Sequence, residues 1–162
     1  MPPPNLTQSQ KEKLKRLEPQ LKLAVAEKNL GIAKTVVFDI QNILKPTGHL
    51  TRLVQIKNWL YELAIDVTEY SFAESGLIGN RKLVNANTRA YIESTSLLAI
   101  CYLRSNNFDK AKPLIQEVLT NQKVIVSEKT RQEFRKNIIE RFDEESVLYS
   151  LKSEGNEKIS DR

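Results

Sequence analysis

The 162-residue chain has one cysteine, one histidine, one tryptophan and one methionine, so several kinds of chemistry lack their usual residues. A lone Cys101 cannot form an internal disulfide, and a lone His49 provides no pair with zinc-ligand spacing. A catalytic triad would have to be built around His49, which we expect to be structural or exposed near a turn. Cys101 lies in an apolar stretch that favours an inert buried thiol. We therefore expect no catalytic residues, no metal site and no cofactor.

Long apolar runs, glycines and prolines are also scarce. No run approaches the roughly 20 apolar residues that cross a bilayer, and the first residues lack the pattern of a secretory signal. Together with the single cysteine, this predicts a cytoplasmic protein without a membrane partner. Five glycines and six prolines leave little turn material, which suits helices joined by tight loops better than many short strands.

The chain does contain a repeated pattern. The segments 30–33, 70–73 and 108–111 resemble one another, and their final alanines lie 40 and 38 residues apart. Similar residues recur four positions after each alanine, nine before it and twelve before it; these are Val37, Leu77 and Ile115, then Ala24, Ala64 and Tyr102, then Leu21, Tyr61 and Ala99. A two-helix unit repeated at this period predicts helical hairpins that each bury an apolar face against a neighbour.

Apolar residues recur with a helical period almost throughout residues 7–151. This predicts a single domain of about seven helices between disordered termini at 1–6 and 152–162. Pro19 predicts a kink or a new helix start, and Asn29 is placed to cap the second helix. Gly76 and Gly79 predict close helix packing, and a closing amphipathic helix is expected from Ser127.

The third unit resembles a tetratricopeptide repeat. The residues that carry the resemblance are Leu98, Ala99, Tyr102, Asn106, Phe108, Ala111, Ile115 and Leu119. The match is good over 91–120, moderate over 54–81 and weaker over 14–44, and the spacing exceeds the family's usual period of about 34 residues. The resemblance implies an all-α fold, a right-handed stack of about three antiparallel helical hairpins with a C-terminal capping helix.

The resemblance also implies a groove lined by the first helix of each hairpin. The corresponding positions are Lys15, Glu18, Lys22 and Val25, then Gln55, Asn58, Glu62 and Ile65, then Glu93, Ser96, Ile100 and Arg104. This set is mixed in charge and lacks the lysine and asparagine clamp with which some family members hold a peptide's terminal carboxylate. Four aromatic residues are candidate anchors, although we expect each to lie in the core: Trp59, Tyr61, Tyr91 and Tyr102.

Charge supports an alternative. The net charge is +5, with −3 on residues 143–162 and +8 on the remainder. Cations that phosphates could contact are Arg81, Lys82, Lys129, Arg131, Arg135 and Lys136. No nucleic-acid reading motif or aromatic stacking platform accompanies them.

The sequence thus predicts a non-catalytic protein–protein interaction module, such as an adaptor, a complex subunit or an inhibitor. Its partner would be another protein or a peptide bound in the groove. The alternative is a nucleic-acid-associated accessory protein, RNA-binding for example, that uses its basic helix faces. A third hypothesis is that the chain associates with itself to form a homodimer.

Overall fold

A computed structural model describes residues 3–121, which form six α-helices joined by short turns. The helices are α1 (Gln8–Ala26), α2 (Leu30–Leu44), α3 (Leu50–Asp66), α4 (Tyr70–Leu83), α5 (Arg89–Arg104) and α6 (Phe108–Asn121). No strand occurs among these residues, so the predicted all-α class is confirmed for this part of the chain. The closing helix expected from Ser127 and the tail expected at 152–162 lie outside the described residues.

The chain divides into two compact units between Asn85 and Ala86. In the first unit, α1 packs on α2, α2 on α3, and α3 on α4, with a smaller contact between α1 and α3. In the second unit, α5 packs on α6. The single repeat domain expected over 7–151 remains a prediction.

Three of the turns between helices share one backbone conformation. Lys28, Thr68 and Asn106 have φ angles of 55°, 64° and 63°, and each lies five residues before one of the repeated alanines. The residue after each of them donates its N–H to a carbonyl five residues back: Asn29 to Ala24 at 2.8 Å, Glu69 to Ala64 at 2.8 Å, and Asn107 to Tyr102 at 2.7 Å. A left-handed residue followed by such a bond closes a helix tightly. The three similar segments 30–33, 70–73 and 108–111 are therefore each preceded by the same kind of turn.

The repeated alanines are completely buried near the start of the second helix of each hairpin. Ala33, Ala73 and Ala111 all have 0% exposure. The residues at the fixed spacings around them are buried as well, namely Val37, Leu77, Ile115, Ala24, Ala64, Tyr102, Leu21, Tyr61 and Ala99. A methyl side chain at these points allows two helices to approach closely, and the larger residues one turn away fill the space beside it.

Two expectations about the first hairpin have different outcomes. Asn29 caps α2 by accepting a hydrogen bond from the Ile32 N–H at 3.0 Å, so the predicted cap is confirmed. The alternative of a new helix start at Pro19 is wrong, because α1 runs through that residue without interruption. Pro19 is exposed. The carbonyl that it leaves unpaired in the helix can therefore be hydrated, which lowers the cost of proline there.

The residues before α1 contact the rest of the first unit. Leu6 is buried, and the Pro4 carbonyl lies 2.8 Å from Nε2 of His49. Thr7 then starts α1 with a capping box in which it exchanges hydrogen bonds with Gln10. His49 thus has a structural contact, and Pro3 and Pro4, within the segment 1–6 expected to be disordered, lie beside the residues that precede α3.

Gly76 and Gly79 occupy different environments on α4. A Cβ atom at Gly76 would overlap Cε1 and Cζ of the Tyr61 ring, whereas a Cβ at Gly79 would meet nothing within 4 Å. Tyr61 is itself 5% exposed and has its ring centroid 5.5 Å from that of Phe72. The prediction of close packing is confirmed at Gly76 and wrong at Gly79.

Candidate functional site

Four of the eight groove positions expected in the first unit lie on one surface, namely Lys15, Glu18, Lys22 and Gln55, whereas Ile65 is completely buried and its groove assignment is wrong. Lys15, Lys22 and Gln55 are exposed, and Glu62 is half-buried. On α1 the residues Lys15, Glu18 and Lys22 are spaced three and four apart, as are Arg52, Gln55 and Trp59 on α3. This spacing places each set along one side of its helix.

Two contacts join these sides of α1 and α3. The Arg52 guanidinium lies 2.5 Å from a carboxylate oxygen of Glu18, and Nζ of Lys22 lies 5.9 Å from the centroid of the Trp59 ring. We call the surface formed by Lys15, Glu18, Lys22, Arg52, Gln55 and Trp59 the α1/α3 face. It presents one large aromatic ring between cations and a carboxylate.

The location of Trp59 in this face differs from the prediction made from the sequence. It was expected in the core, but 39% of it is exposed. Tyr61 and Tyr102 are buried as expected, and Tyr91 is partly buried with its hydroxyl donating to a Glu117 carboxylate at 2.6 Å. A signal for Trp59 was present in the sequence, because it follows Arg52 by two turns and lies on the polar side of α3.

Asn58 does not belong to the α1/α3 face. It is 3% exposed, and its Oδ1 accepts a hydrogen bond from Nδ2 of Asn80 on α4 at 3.1 Å. The reason lies in the helical period, because Asn58 follows the stripe of Val54, Tyr61 and Ile65, all of which are buried. The groove assignment of Asn58 is therefore wrong, and the residue is a buried polar contact between α3 and α4.

In the second unit the expected groove positions also differ in accessibility. Ser96 is 4% exposed and donates its hydroxyl to the Ile92 carbonyl at 2.9 Å, so its assignment to an accessible groove is wrong. Glu93 forms an ion pair with Arg89 at 2.6 Å, and Arg104 is partly exposed at the end of α5. A small hydroxyl that bonds its own helix backbone needs no solvent, which explains how Ser96 fits in a buried position.

A second surface of the first unit combines lysines with aromatic rings. Lys34 and Phe38 lie one turn apart on the same side of α2, and Lys45 is the C-cap residue of that helix, seven residues after Phe38. Nζ of Lys34 lies 4.1 Å from the centroid of the Phe72 ring, and Nζ of Lys57 lies 5.8 Å from that of Tyr61. We call the surface formed by Lys34, Phe38, Lys45, Lys57 and Phe72 the lysine–phenylalanine surface.

Electrostatics distinguishes Lys57 from the other cations. Its partial burial, together with repulsion from the Lys45 ammonium, lowers the pKa of Lys57 from its ordinary value of 10.5. The adjacent Tyr61 shows the same desolvation with the opposite sign, because burial raises the pKa of its phenol to about 12. In both residues of α3, burial disfavours the charged form of the side chain.

The Tyr61 shift predicts an alkaline loss of stability. A raised folded-state pKa gives stability that is present below pH 10 and is lost as the pH rises towards 12, since the unfolded phenol ionises first. At pH 11 the wild type should have lost about 1.4 kcal/mol more unfolding free energy than Tyr61→Phe, each relative to pH 8. Urea unfolding of both proteins at the two pH values measures this, and equal losses would contradict the assigned cause.

The residues considered for nucleic-acid contact are only partly described. Arg81 is half-buried and Lys82 exposed, both in the last turn of α4, where cations interact favourably with the helix dipole. Lys129, Arg131, Arg135 and Lys136 lie outside the described residues. Cys101 is 1% exposed. Within residues 3–121 no group of three or more metal-ligating side chains could hold an ion, and no helix is both long and apolar enough to cross a membrane.

No family model matches the chain, and comparison with curated proteins and with solved structures gives no significant match.

Proposed function

We propose that the chain is a non-catalytic protein–protein interaction module that binds its partner across the α1/α3 face. The observation that carries this proposal is the exposure of Trp59, the single tryptophan of the chain, at 39%. Tryptophan and arginine are enriched among the residues that contribute most to protein–protein binding. The α1/α3 face has both, as Arg52 lies two turns before Trp59 on α3.

The contacts around Trp59 suit an anchoring role. Lys22 holds its ammonium 5.9 Å from the ring centroid, near the outer limit for a cation–π contact, which leaves much of the ring face open. The Glu18–Arg52 ion pair fixes α1 beside α3 two turns away. A partner that covered the ring would bury a large apolar area and strengthen the neighbouring charge contacts by excluding water.

The charges of the face indicate the kind of partner. Lys15, Lys22 and Arg52 give three positive charges against the one negative charge of Glu18. A peptide or protein surface with an apolar side chain for Trp59 and a few carboxylates at the rim is complementary to this set. The stacking of the hairpins into a right-handed, tetratricopeptide-like solenoid is part of the same proposal, as such stacks present extended binding surfaces.

The test is affinity capture followed by a direct titration. The tagged chain is expected to recover one protein from its native cell in near-equal amount, and Trp59→Ala should weaken that binding more than tenfold, which corresponds to loss of a binding hot spot of about 2 kcal/mol. The purified partner should then shift the emission of Trp59 to shorter wavelength, because the ring leaves water on binding. The chain contains no other tryptophan, so the difference between this titration and the same titration with Trp59→Phe reports the α1/α3 face alone.

The matched control is Leu23→Ala. Leu23 is an apolar side chain of α1 that lies outside the α1/α3 face and is 59% exposed. This variant should retain binding. Capture that is unchanged by Trp59→Ala would show that the α1/α3 face is not the binding site. Recovery of RNA instead of protein, in a form abolished by nuclease treatment, would favour the nucleic-acid alternative.

A further inference from the structure

The lysine–phenylalanine surface carries cations whose charge the described structure does not neutralise. Lys34, Lys45 and Lys57 lie on or beside one side of α2, and none of them forms an ion pair within residues 3–121. Two of them instead contact aromatic rings, Lys34 that of Phe72 and Lys57 that of Tyr61. The Lys45 ammonium repels that of Lys57, and an added negative charge would relieve that repulsion.

Lys57 makes this imbalance more costly. Its ammonium is partly removed from water and repelled by Lys45, which is why its pKa is lowered. A carboxylate placed near both lysines would stabilise the charged form of Lys57.

The same surface exposes a large apolar side chain. Phe38 is 61% exposed and lies one turn from Lys34 and two turns from Lys45 on α2. Phe72 is half-buried beneath the Lys34 ammonium, so apolar area continues from α2 to α4. An occupant of this surface can therefore gain from apolar burial as well as from charge pairing.

We propose that the lysine–phenylalanine surface is a second docking site, which binds an acidic peptide segment of a partner protein through carboxylates at Lys34, Lys45 and Lys57 and an apolar side chain on Phe38. The site shares no residue with the α1/α3 face and so goes beyond the proposed function. An acidic peptide can place carboxylates at the lysines and an apolar side chain on Phe38 at the same time. Bases of a single-stranded nucleic acid could also stack on this ring, so an oligonucleotide is included in the test.

The decisive variant is Lys45→Glu, because it should change binding much more than folding. Replacing the Lys45 ammonium by a carboxylate removes the repulsion acting on Lys57 but places a negative charge at the C-terminus of α2, so the urea midpoint should change little. The same change should weaken binding of an acidic peptide about tenfold, since one attractive contact becomes repulsive. A mutation that merely disturbed the structure would lower both quantities.

The probe is a fluorescein-labelled peptide in which glutamates flank a leucine–phenylalanine pair, titrated with the full chain and followed by fluorescence anisotropy. Its counterpart with glutamine in place of glutamate should not bind measurably. Lys13→Glu on α1 is the matched control, as it makes the same charge change at an exposed residue outside the surface and should leave the affinity unchanged. Phe38→Ala should weaken binding about fivefold, roughly 1 kcal/mol, without altering its salt dependence.

Three results would overturn the proposal. The first is equal weakening by Lys45→Glu and Lys13→Glu, which would show a general charge effect. The second is binding of a single-stranded oligonucleotide that is tighter than binding of the peptide and is weakened by Lys45→Glu but not by Lys13→Glu, which would assign the surface to nucleic acid. The third is a rise in peptide affinity when Asp143, Glu144 and Glu145 are neutralised, which would assign the surface to the chain's own acidic segment. Because Trp59 takes no part in these assays, they can fail or succeed independently of the proposed function.

Discussion

Gly76→Ala should destabilise the protein by about 3 kcal/mol or more, whereas Gly79→Ala on the same helix should stabilise it by about 0.5–1 kcal/mol. Both substitutions add one methyl group and remove the same backbone freedom from the unfolded chain. They differ in what the added atom meets. At Gly76 it would overlap Cε1 and Cζ of Tyr61, and at Gly79 it would meet no atom within 4 Å.

The Tyr61 ring has little room to avoid this overlap. Tyr61 is 5% exposed, its ring lies against Phe72 at a centroid distance of 5.5 Å, and it occupies a repeat position between α3 and α4. Moving the ring would require a strained rotamer or a separation of the two helices, and a close-packed interior resists both. The overlap should therefore cost several times the usual gain from replacing glycine in a helix.

Urea unfolding followed by circular dichroism at 222 nm measures both variants under identical conditions. Gly79→Ala is the control for helix propensity, and Tyr61→Leu with Gly76→Ala tests the assigned partner. With the smaller side chain at 61, the penalty of Gly76→Ala should shrink by more than 1 kcal/mol, which a double-mutant cycle detects. Equal stability changes for Gly76→Ala and Gly79→Ala would contradict the close contact.

The sequence was sufficient to predict the hairpins because their determinants are local. Ala33, Ala73 and Ala111 recur with larger apolar residues at helical spacing, and Asn29 stands where a helix must be capped. Each of these features acts within a turn or between helices adjacent in sequence. The repeated conformation at Lys28, Thr68 and Asn106 was not predicted, as only Asn106 is a residue that commonly adopts positive φ.

The candidate surfaces were harder to predict because they depend on contacts between helices distant in sequence. The position of Trp59 on the polar side of α3 can be recognised from the sequence, but nothing on α3 alone identifies Lys22 of α1 as the neighbour of its ring. The lysine–phenylalanine surface likewise arises where α2 passes α3 and α4, which brings Lys45 near Lys57 and Lys34 over Phe72. Helical period gives the side of a helix on which a residue lies, but tertiary packing decides what covers that side.

Asn58 was predicted to be accessible but is buried against α4, which the sequence of α3 alone does not reveal. Its contact with Asn80 leads to a second prediction with a large effect. Asn80→Leu alone should lower the unfolding free energy by about 2–3 kcal/mol, because it removes one hydrogen-bond donor to Asn58 Oδ1 at a buried site. Asn58→Leu alone should cost a similar amount, since it leaves the buried Nδ2 of Asn80 without its acceptor.

Replacing both residues by leucine should cost less than the sum of the two single losses. Leucine is close to asparagine in shape, and the double variant leaves no polar group of this pair to desolvate. The pair already carries a cost, because Oδ1 of Asn80 has no hydrogen-bond partner among the described residues. The two single variants and the double variant form a cycle whose coupling energy should be at least 2 kcal/mol, measured by urea unfolding.

Additive losses would mean that the two amides act independently and that the 3.1 Å hydrogen bond contributes little. A large coupling energy together with a double variant more stable than the wild type would show that the amide pair lowers stability. The pair would then serve to align α3 with α4 and not to stabilise the fold.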